Sequence, residues 1–184
     1  MSNHNDDAVL VKLTLDQGSQ YFGKLVKRYS DYVYGLGMRL SGGNDAQAKD
    51  VSQQAFIKAF QYLGSFNPNH KALGTQEGTR FRNWLTGIAT NCYADLARRE
   101  AAYLPLTPHV EQTQQTKGQA SNFSEFNDLI RSLTIEERQI VTLKYVYEYK
   151  VDEIAGMLSM KAGTVKSKMS RAISRLREVT DEQN

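Results

Sequence analysis

Three observations predict an all-α protein of two small helical domains joined by a flexible linker. Apolar residues recur at helical spacing through most of the 184-residue chain, and residues 1 to 100 show no alternating strand pattern. Only three prolines interrupt it. The helical period is lost over one long stretch, from Glu100 to about Asn122, where Pro105, Pro108, Gly118 and the run Gln112-Thr113-Gln114-Gln115-Thr116 mark a linker. The expected organisation is therefore a domain over 1–100, a linker over 101–122 and a second domain over 123–184.

Asp7 to Leu15 forms a first short helix, with Val9, Leu10 and Leu13 on its apolar side and Asp6 or Asp7 at its start. Asp16-Gln17-Gly18 ends it. From Ser19 to about Leu40, Phe22, Leu25, Val26, Tyr29, Val33, Leu36 and Leu40 fall at helical spacing. Gly35 and Gly37 each cost that helix about 1 kcal/mol relative to Ala, so they mark either close helix packing or a break. Ser41-Gly42-Gly43-Asn44 is a turn. Asp45 to Leu63 is the next helix, with Ala48, Ser52, Ala55, Ala59, Tyr62 and Leu63 as an inward face of mostly small residues. Its opposite face carries Asp50, Gln53, Gln54, Ile57 and Gln61, with Phe60 beside them. Ile57 there is either the apolar centre of a partner-binding patch or an ordinary exposed apolar residue that another helix could cover.

Gly64 to Arg80, with Pro68, Gly74 and Gly78, reads as a loop of a length associated with recognition. Phe81 to Arg99 resumes the helical period through Phe81, Trp84, Leu85, Ile88, Ala89, Cys92 and Leu96; its outward side is small and polar, with Asn83, Gly87, Thr90, Asn91 and Ala94. Trp84, at the stripe edge, suits either base stacking or the core. Cys92 lies within the stripe as a buried small hydrophobe. Beyond the linker, Phe123 to Arg131 restarts helix. Thr134 and Glu137 have the spacing of a capping box, opening a helix through Ile140, Val141 and Leu143.

The last two helices carry the chemistry. Val151, Ile154, Ala155 and Leu158 share one face, Ser159 to Gly163 interrupts, and Val165, Met169, Ala172, Ile173 and Leu176 form a second apolar stripe from Thr164 onward. Two short helices meeting at a Gly-containing turn suggest a helix-turn-helix. From Lys161 to Arg177 there are six basic residues and no acidic one. Ser167, Ser170 and Ser174 lie opposite the stripe, flanked by Lys168, Arg171 and Arg175 on one side and Lys166 and Arg177 on the other. Small polar residues let the helix sink into a major groove while long cations reach phosphates. The bland alternative is a solvated basic face.

Composition narrows the rest. The net charge is +3, and residues 123–184 hold ten basic and ten acidic side chains, the acids crowded before Gly156 and the bases after it. That segregation implies two different surfaces on one domain. Cys92 is the only cysteine, so neither a disulfide framework nor a cysteine-rich metal site can form. No run of about 18 apolar residues is present and the start is polar, which fits a cytoplasmic chain without a spanning helix or signal peptide. His4, His70 and His109 lie in polar segments, and no nucleophile with a base, nor any phosphate-binding glycine loop, can be assembled. No enzyme activity, cofactor, metal or small-molecule substrate is expected.

Two motifs then identify a resemblance. Asp45-Ala46-Gln47-Ala48-Lys49-Asp50-Val51-Ser52-Gln53-Gln54-Ala55-Phe56, followed by Phe81-Arg82-Asn83-Trp84-Leu85-Thr86-Gly87-Ile88-Ala89-Thr90-Asn91, resembles region 2 of the bacterial extracytoplasmic-function sigma factors, the small two-domain type of the sigma-70 family. Leu133-Thr134 through Arg138, then Asp152-Glu153-Ile154-Ala155 and Gly163-Thr164-Val165-Lys166-Ser167, resembles region 4. The resemblance runs from Ser19 to Glu178, apart from the linker and part of the loop after Phe66.

It implies a protein that binds core RNA polymerase and directs promoter-specific initiation. Asp50, Gln53, Gln54 and Ile57 would dock on the β′ coiled coil, although Lys49 and Gln54 stand where the family often has Glu. Arg82, Asn83, Trp84, Thr90, Asn91 and Arg98 would read the minus-10 element as single strand, with a base flipped near the preceding loop. Thr164, Lys166, Ser167, Lys168, Arg171 and Arg175 would read the minus-35 duplex, and the acidic, apolar first half of that domain would face the β flap. The resemblance also implies an anti-sigma factor, through which alone the protein would contact a membrane. The competing reading is a helix-turn-helix regulator of the response-regulator type, which shares the Leu-Thr, Glu, Ile-Ala and Thr-Val-Lys pattern but needs an N-terminal α/β domain with strands.

Overall fold

A computed structural model describes residues 6–70, 79–103 and 129–181, and every regular element among them is helical. The strands that a receiver-type domain would require are absent from the described part of residues 1–100. The first helix, α1 (Asp7–Gln17), is capped by Asp6, whose side chain accepts the Ala8 N–H at 3.1 Å, and it ends at Gly18 with φ 117°. Asp7 is itself buried, its carboxylate accepting from Arg28 and from the Tyr29 hydroxyl. Both donors lie on α2 (Gln20–Leu40), so α1 is fastened to α2 by charge as well as by Leu10 and Val11.

Helix α2 runs unbroken through Gly35 and Gly37, and packing explains the second glycine. A Cβ on Gly37 would lie 2.9 Å from the Ala48 Cα on α3 (Asp45–Gln61). Close approach of the two backbones is thus bought with a glycine on one helix and an alanine on the other. The turn between them uses Gly42 and Gly43 at φ 66° and 89°, and Asn44 caps α3 by accepting the Gln47 N–H at 3.1 Å. Ala48, Ala55, Ala59 and Val51 are buried. Tyr62 departs from the expected inward face and is 58 % exposed. Helix α3 ends at Gln61, and a 3-10 turn over Leu63–Ser65 swings Leu63 into the core instead.

Helix α4 (Arg80–Tyr103) continues past the expected boundary at Arg99 into the first residues assigned to the linker. Phe81, Leu85, Ala89 and Cys92 are buried on its N-terminal-domain side. Burial pushes the Cys92 thiol up, in keeping with a small apolar filler. Residues 71–78 and 104–128, including most of the expected linker and of the helix restarting at Phe123, lie outside the described part.

The C-terminal domain opens with a helical turn at 129–131 and α5 (Ile135–Val141), which bears the expected capping box of Thr134 and Glu137. A π-helical turn over Thr142–Val146 follows, then Glu148 at φ 58°. Helices α6 (Val151–Met157) and α7 (Ala162–Asp181) complete the helix-turn-helix. Gly163 does not make its turn. The left-handed residue is Ser159, at φ 53°, while Gly163 lies in the first turn of α7, which begins two residues before the expected Thr164. The Met160 N–H closes the end of α6 on the Ala155 carbonyl at 2.9 Å.

The two domains do not stand apart as the sequence suggests. Ile130, Leu133, Val141 and Ala172 form a small cluster of their own, but Ile140, Leu143, Ile154, Met157, Leu158 and Val165 join the core of the N-terminal helices. Helix α4 packs on α6 and α5.

Gly37→Ala tests the α2–α3 contact. Alanine gains about 1 kcal/mol of helix propensity, yet its methyl meets backbone that cannot move aside, a cost of roughly 1–3 kcal/mol. The variant should therefore have a lower denaturant midpoint, whereas a raised midpoint would show that α2 and α3 are less tightly apposed.

Candidate nucleic-acid interface

Helix α7 is seated by Val165 and Ala172, both fully buried. This leaves Lys166, Ser167, Ser170, Arg171, Ser174 and Arg177 exposed on the outside. The serine hydroxyls turn back onto the helix: Ser167 donates to the Thr164 carbonyl at 3.0 Å and Ser174 to the Ser170 carbonyl at 3.2 Å. The surface between the cations is consequently low, as groove entry requires. Thr164 is half-buried at the start of the helix.

Two of the six expected minus-35 residues lean away from that face. Lys168 pairs with Glu136 at 2.5 Å and Arg175 with Glu137 at 2.8 Å. The Glu137 carboxylate is 5 % exposed and also accepts the Thr134 N–H at 3.0 Å and the Thr134 hydroxyl at 2.9 Å. Arg175 thus extends the capping box into a tie between α5 and α7. The acids gathered early in this domain neutralise one flank of α7, while Lys166 and Arg171 form no ion pair among the described residues. A cleft of about 330 Å³ lies between α4, α5 and α7, with Arg98, Lys168, Arg171 and Arg175 in its lining.

On α4 the expected minus-10 residues divide. Asn91 and Arg98 are exposed, Arg98 lying 3.7 Å from the Asp95 carboxylate. Trp84 is half-buried, in ring contact with Phe66 at 5.3 Å and Phe81 at 5.6 Å, so its ring sits in the aromatic edge of the core. Arg82 lies over the Tyr32 ring at 5.8 Å. The expectation of an open, small and polar outward side is corrected: Asn83, Gly87, Thr90 and Ala94 are all buried.

Residues of the C-terminal domain sit against this side. Gln139 donates to the Thr90 carbonyl at 2.7 Å. A Cβ on Gly87 would meet the Met157 carbonyl oxygen at 3.2 Å. Tyr32 bridges Thr86 at 2.8 Å and Tyr149 at 2.9 Å. Thr86 spends its one proton on the Arg82 carbonyl at 2.7 Å. Tyr32 must then donate to Thr86, which leaves Tyr149 to donate to Tyr32, a directed chain of hydroxyls. Burial pushes the Tyr32 phenol far above its ordinary range and keeps it neutral. Arg138 adds bonds to the Tyr93 hydroxyl at 2.8 Å and to the Leu40 carbonyl at 3.3 Å, at the C-terminal end of α2. Sequence reading missed the roles of Tyr32, Arg138, Gln139 and Tyr149. The only available signal was the density of tyrosines from Tyr145 to Tyr149, in a connection that needs none for helix formation.

The outer face of α3 matches expectation in exposure. Asp50, Gln53 and Gln54 are exposed around Ile57, which is 43 % exposed. Phe60, at 46 %, adjoins Phe22 edge-on at 5.1 Å.

Glu137 and Arg175 should separate in a stability measurement. Glu137→Ala removes a cap and an ion pair around a buried carboxylate and should cost about 2 kcal/mol. Arg175→Ala, with its half-exposed head, should cost at most about 1 kcal/mol. Equal losses in chemical denaturation would show that the tie, not the cap, governs α5.

Comparison with known proteins agrees with both halves. Residues 25–103 match the family model described as Sigma-70 region 2, and residues 123–176 match Sigma-70, region 4. Among curated relatives, the ECF RNA polymerase sigma factor SigW of Bacillus subtilis is 30% identical over 85% of this chain and 87% of its own length. SigE of Mycolicibacterium smegmatis, also an ECF RNA polymerase sigma factor, is 30% identical over 84% of this chain; the match spans 60% of that longer relative. In structure, CnrH, solved in complex with the cytosolic domain of CnrY, superposes with TM-score 0.66 at 23% identity, covering 97% of this chain and 99% of CnrH. The sigma factor RpoE of Bartonella quintana, solved with the anti-sigma factor NepR, gives TM-score 0.65 at 19% identity, covering 87% of this chain and 96% of that one.

Proposed function

Since the chain belongs to the extracytoplasmic-function RNA polymerase sigma factors of the sigma-70 family, we propose that it binds core polymerase through the outer face of α3 and reads promoter DNA through α4 and α7. The observation that carries this is the presence, in one chain, of an exposed apolar-centred patch and of a basic, acid-free helix face on a helix-turn-helix. Asp50, Gln53 and Gln54 form a polar rim around Ile57, the pattern of a protein-binding surface. The β′ subunit is the assigned occupant, and the β flap the partner of the C-terminal domain.

In the minus-35 duplex, Arg171 has the reach and the fork for base-edge recognition, while Lys166 supplies a phosphate contact and Ser167 lets the backbone approach. Thr164 stands at the helix start. Lys168 and Arg175 reach DNA after exchanging Glu136 and Glu137 for phosphate, so their contribution is smaller than their charge suggests. On α4, Arg82, Asn83, Trp84, Thr90, Asn91 and Arg98 remain the assigned minus-10 residues, with Asn91 and Arg98 already accessible. Unstacking a base there costs a few kcal/mol, offset by stacking and edge contacts. An anti-sigma factor is the proposed regulator, because an unrestrained sigma factor would compete continuously for polymerase.

Run-off transcription with purified core polymerase on a genomic promoter library is the direct test. Transcripts dependent on this protein, sharing upstream elements, are expected; no transcripts and no binding to core would refute the assignment. Asp50→Ala combined with Gln53→Ala should weaken core binding by roughly tenfold, about 1.4 kcal/mol, with an unchanged circular dichroism spectrum. Unchanged affinity would remove that face from the interface. Lys166→Ala should weaken all promoters alike and reduce the salt slope by about 1, whereas Arg171→Ala should relax preference at one minus-35 position. Uniform loss from Arg171→Ala would reassign it to phosphate.

A further inference from the structure

Gly163 stands in a helix for no reason found within the described chain. Gly37 and Gly87 are held against neighbouring backbone, and Gly42 and Gly43 turn through positive φ. At Gly163 an added Cβ would meet no described atom within 4 Å, and the residue lies in the first turn of α7 without a left-handed φ. The helix-turn-helix itself turns at Ser159, so the turn does not require this glycine. Alanine would suit the position better on helix propensity alone. What surrounds Gly163 lies outside the protein. It is exposed, and at about 100° per residue it falls in line with Ser167, Ser170 and Ser174, between the exposed cations Lys166 and Arg171.

We infer that Gly163 is a positioning residue for promoter specificity: it keeps the leading end of α7 bare, so that the short groups behind it come within reach of base edges. The inference rests on the reading of α7 as the minus-35 helix. Dimensions decide the matter. A helix with its side chains is about 10–12 Å across, and the major groove is about 12 Å wide, so a helix with ordinary side chains on its leading face fills the groove before its backbone nears the bases. The first turns of the second helix are the part of a helix-turn-helix that meets base edges, and Gly163 lies there. A methyl at Gly163 adds one carbon–carbon bond, about 1.5 Å, on the side that enters. A hydrogen bond of about 2.9 Å does not survive a displacement of that size. Ser167, whose side chain is short, and the fork of Arg171 depend on this approach. Lysine stems are long enough to follow the phosphates, so the sequence-independent part of binding stays. Gly163 therefore governs how well the minus-35 element is told from other DNA, although it has no side chain with which to read it.

The test uses the full chain assembled with core polymerase and two labelled duplexes, one carrying only the minus-35 element shared by the run-off transcripts and one with that element scrambled. Gly163→Ala should weaken binding to the first roughly tenfold, while affinity for the second and the salt slope stay as in wild type. Gly163→Leu, with a longer side chain that also favours helix, should weaken the first further. In chemical denaturation of the free chain, Gly163→Ala should have a midpoint at or above that of wild type. A merely structural role would not combine retained stability with lost discrimination. Gly23 on α2 is equally open within the described chain and lies outside every surface assigned to DNA, so Gly23→Ala should leave both duplex affinities unchanged. Unaltered binding of the minus-35 duplex by Gly163→Ala would overturn the inference, as would a lowered midpoint or equal weakening of both duplexes. Wild-type protein that supports no promoter-specific transcript would instead refute the sigma-factor reading, and this inference with it.

Discussion

Burial of α4 on both sides is the constraint on which the rest of the structure depends. Phe81, Leu85, Ala89 and Cys92 face the N-terminal bundle, and Thr86, Gly87 and Thr90 face the C-terminal domain. A helix buried on two sides need not be apolar all round where its second side meets another domain through hydrogen bonds as well as packing. Here the second side is made of threonines and glycine, which satisfy their own polar groups within the helix: Thr90 donates to the Thr86 carbonyl at 2.9 Å, as Thr86 does to that of Arg82 at 2.7 Å. The hydroxyl protons are thereby consumed locally. That surface packs against protein at modest cost.

The same economy governs the charges. The five cations of α7 would repel one another if all faced one direction. Glu136 and Glu137 at the start of α5 accept Lys168 and Arg175, which fixes α7 against α5 and leaves Lys166 and Arg171 exposed. Glu137 is the more consequential of the pair, since one buried carboxylate both caps α5 and receives Arg175, tying α7 to α5. The order of acids and bases along this domain is therefore a feature of its packing as well as of its partners.

Local signals in the sequence determined a large part of this protein. The helices from α1 to α7 follow from apolar periods, the caps at Asp6, Asn44 and Thr134 from short polar side chains that satisfy orphan N–H groups, and the Gly37 contact from a glycine placed where helix propensity disfavours it. The exposed face of α3 and the basic face of α7 were legible for the same reason: periodicity assigns a side chain to a face. Where local chemistry was ambiguous the details slipped, as at Tyr62 and at the helix-turn-helix turn. There a serine rather than the nearby glycine adopts the left-handed conformation. Only the tertiary structure decided what covers the outward side of α4 and where Lys168 and Arg175 point. Those outcomes depend on pairs far apart in sequence, such as Thr90 with Gln139 and Tyr32 with Tyr149. Threonine, glycine and tyrosine suit a solvated surface, a DNA contact and a polar domain seam equally well. Periodicity fixes which residues share a face, but what the face meets is settled by long-range packing.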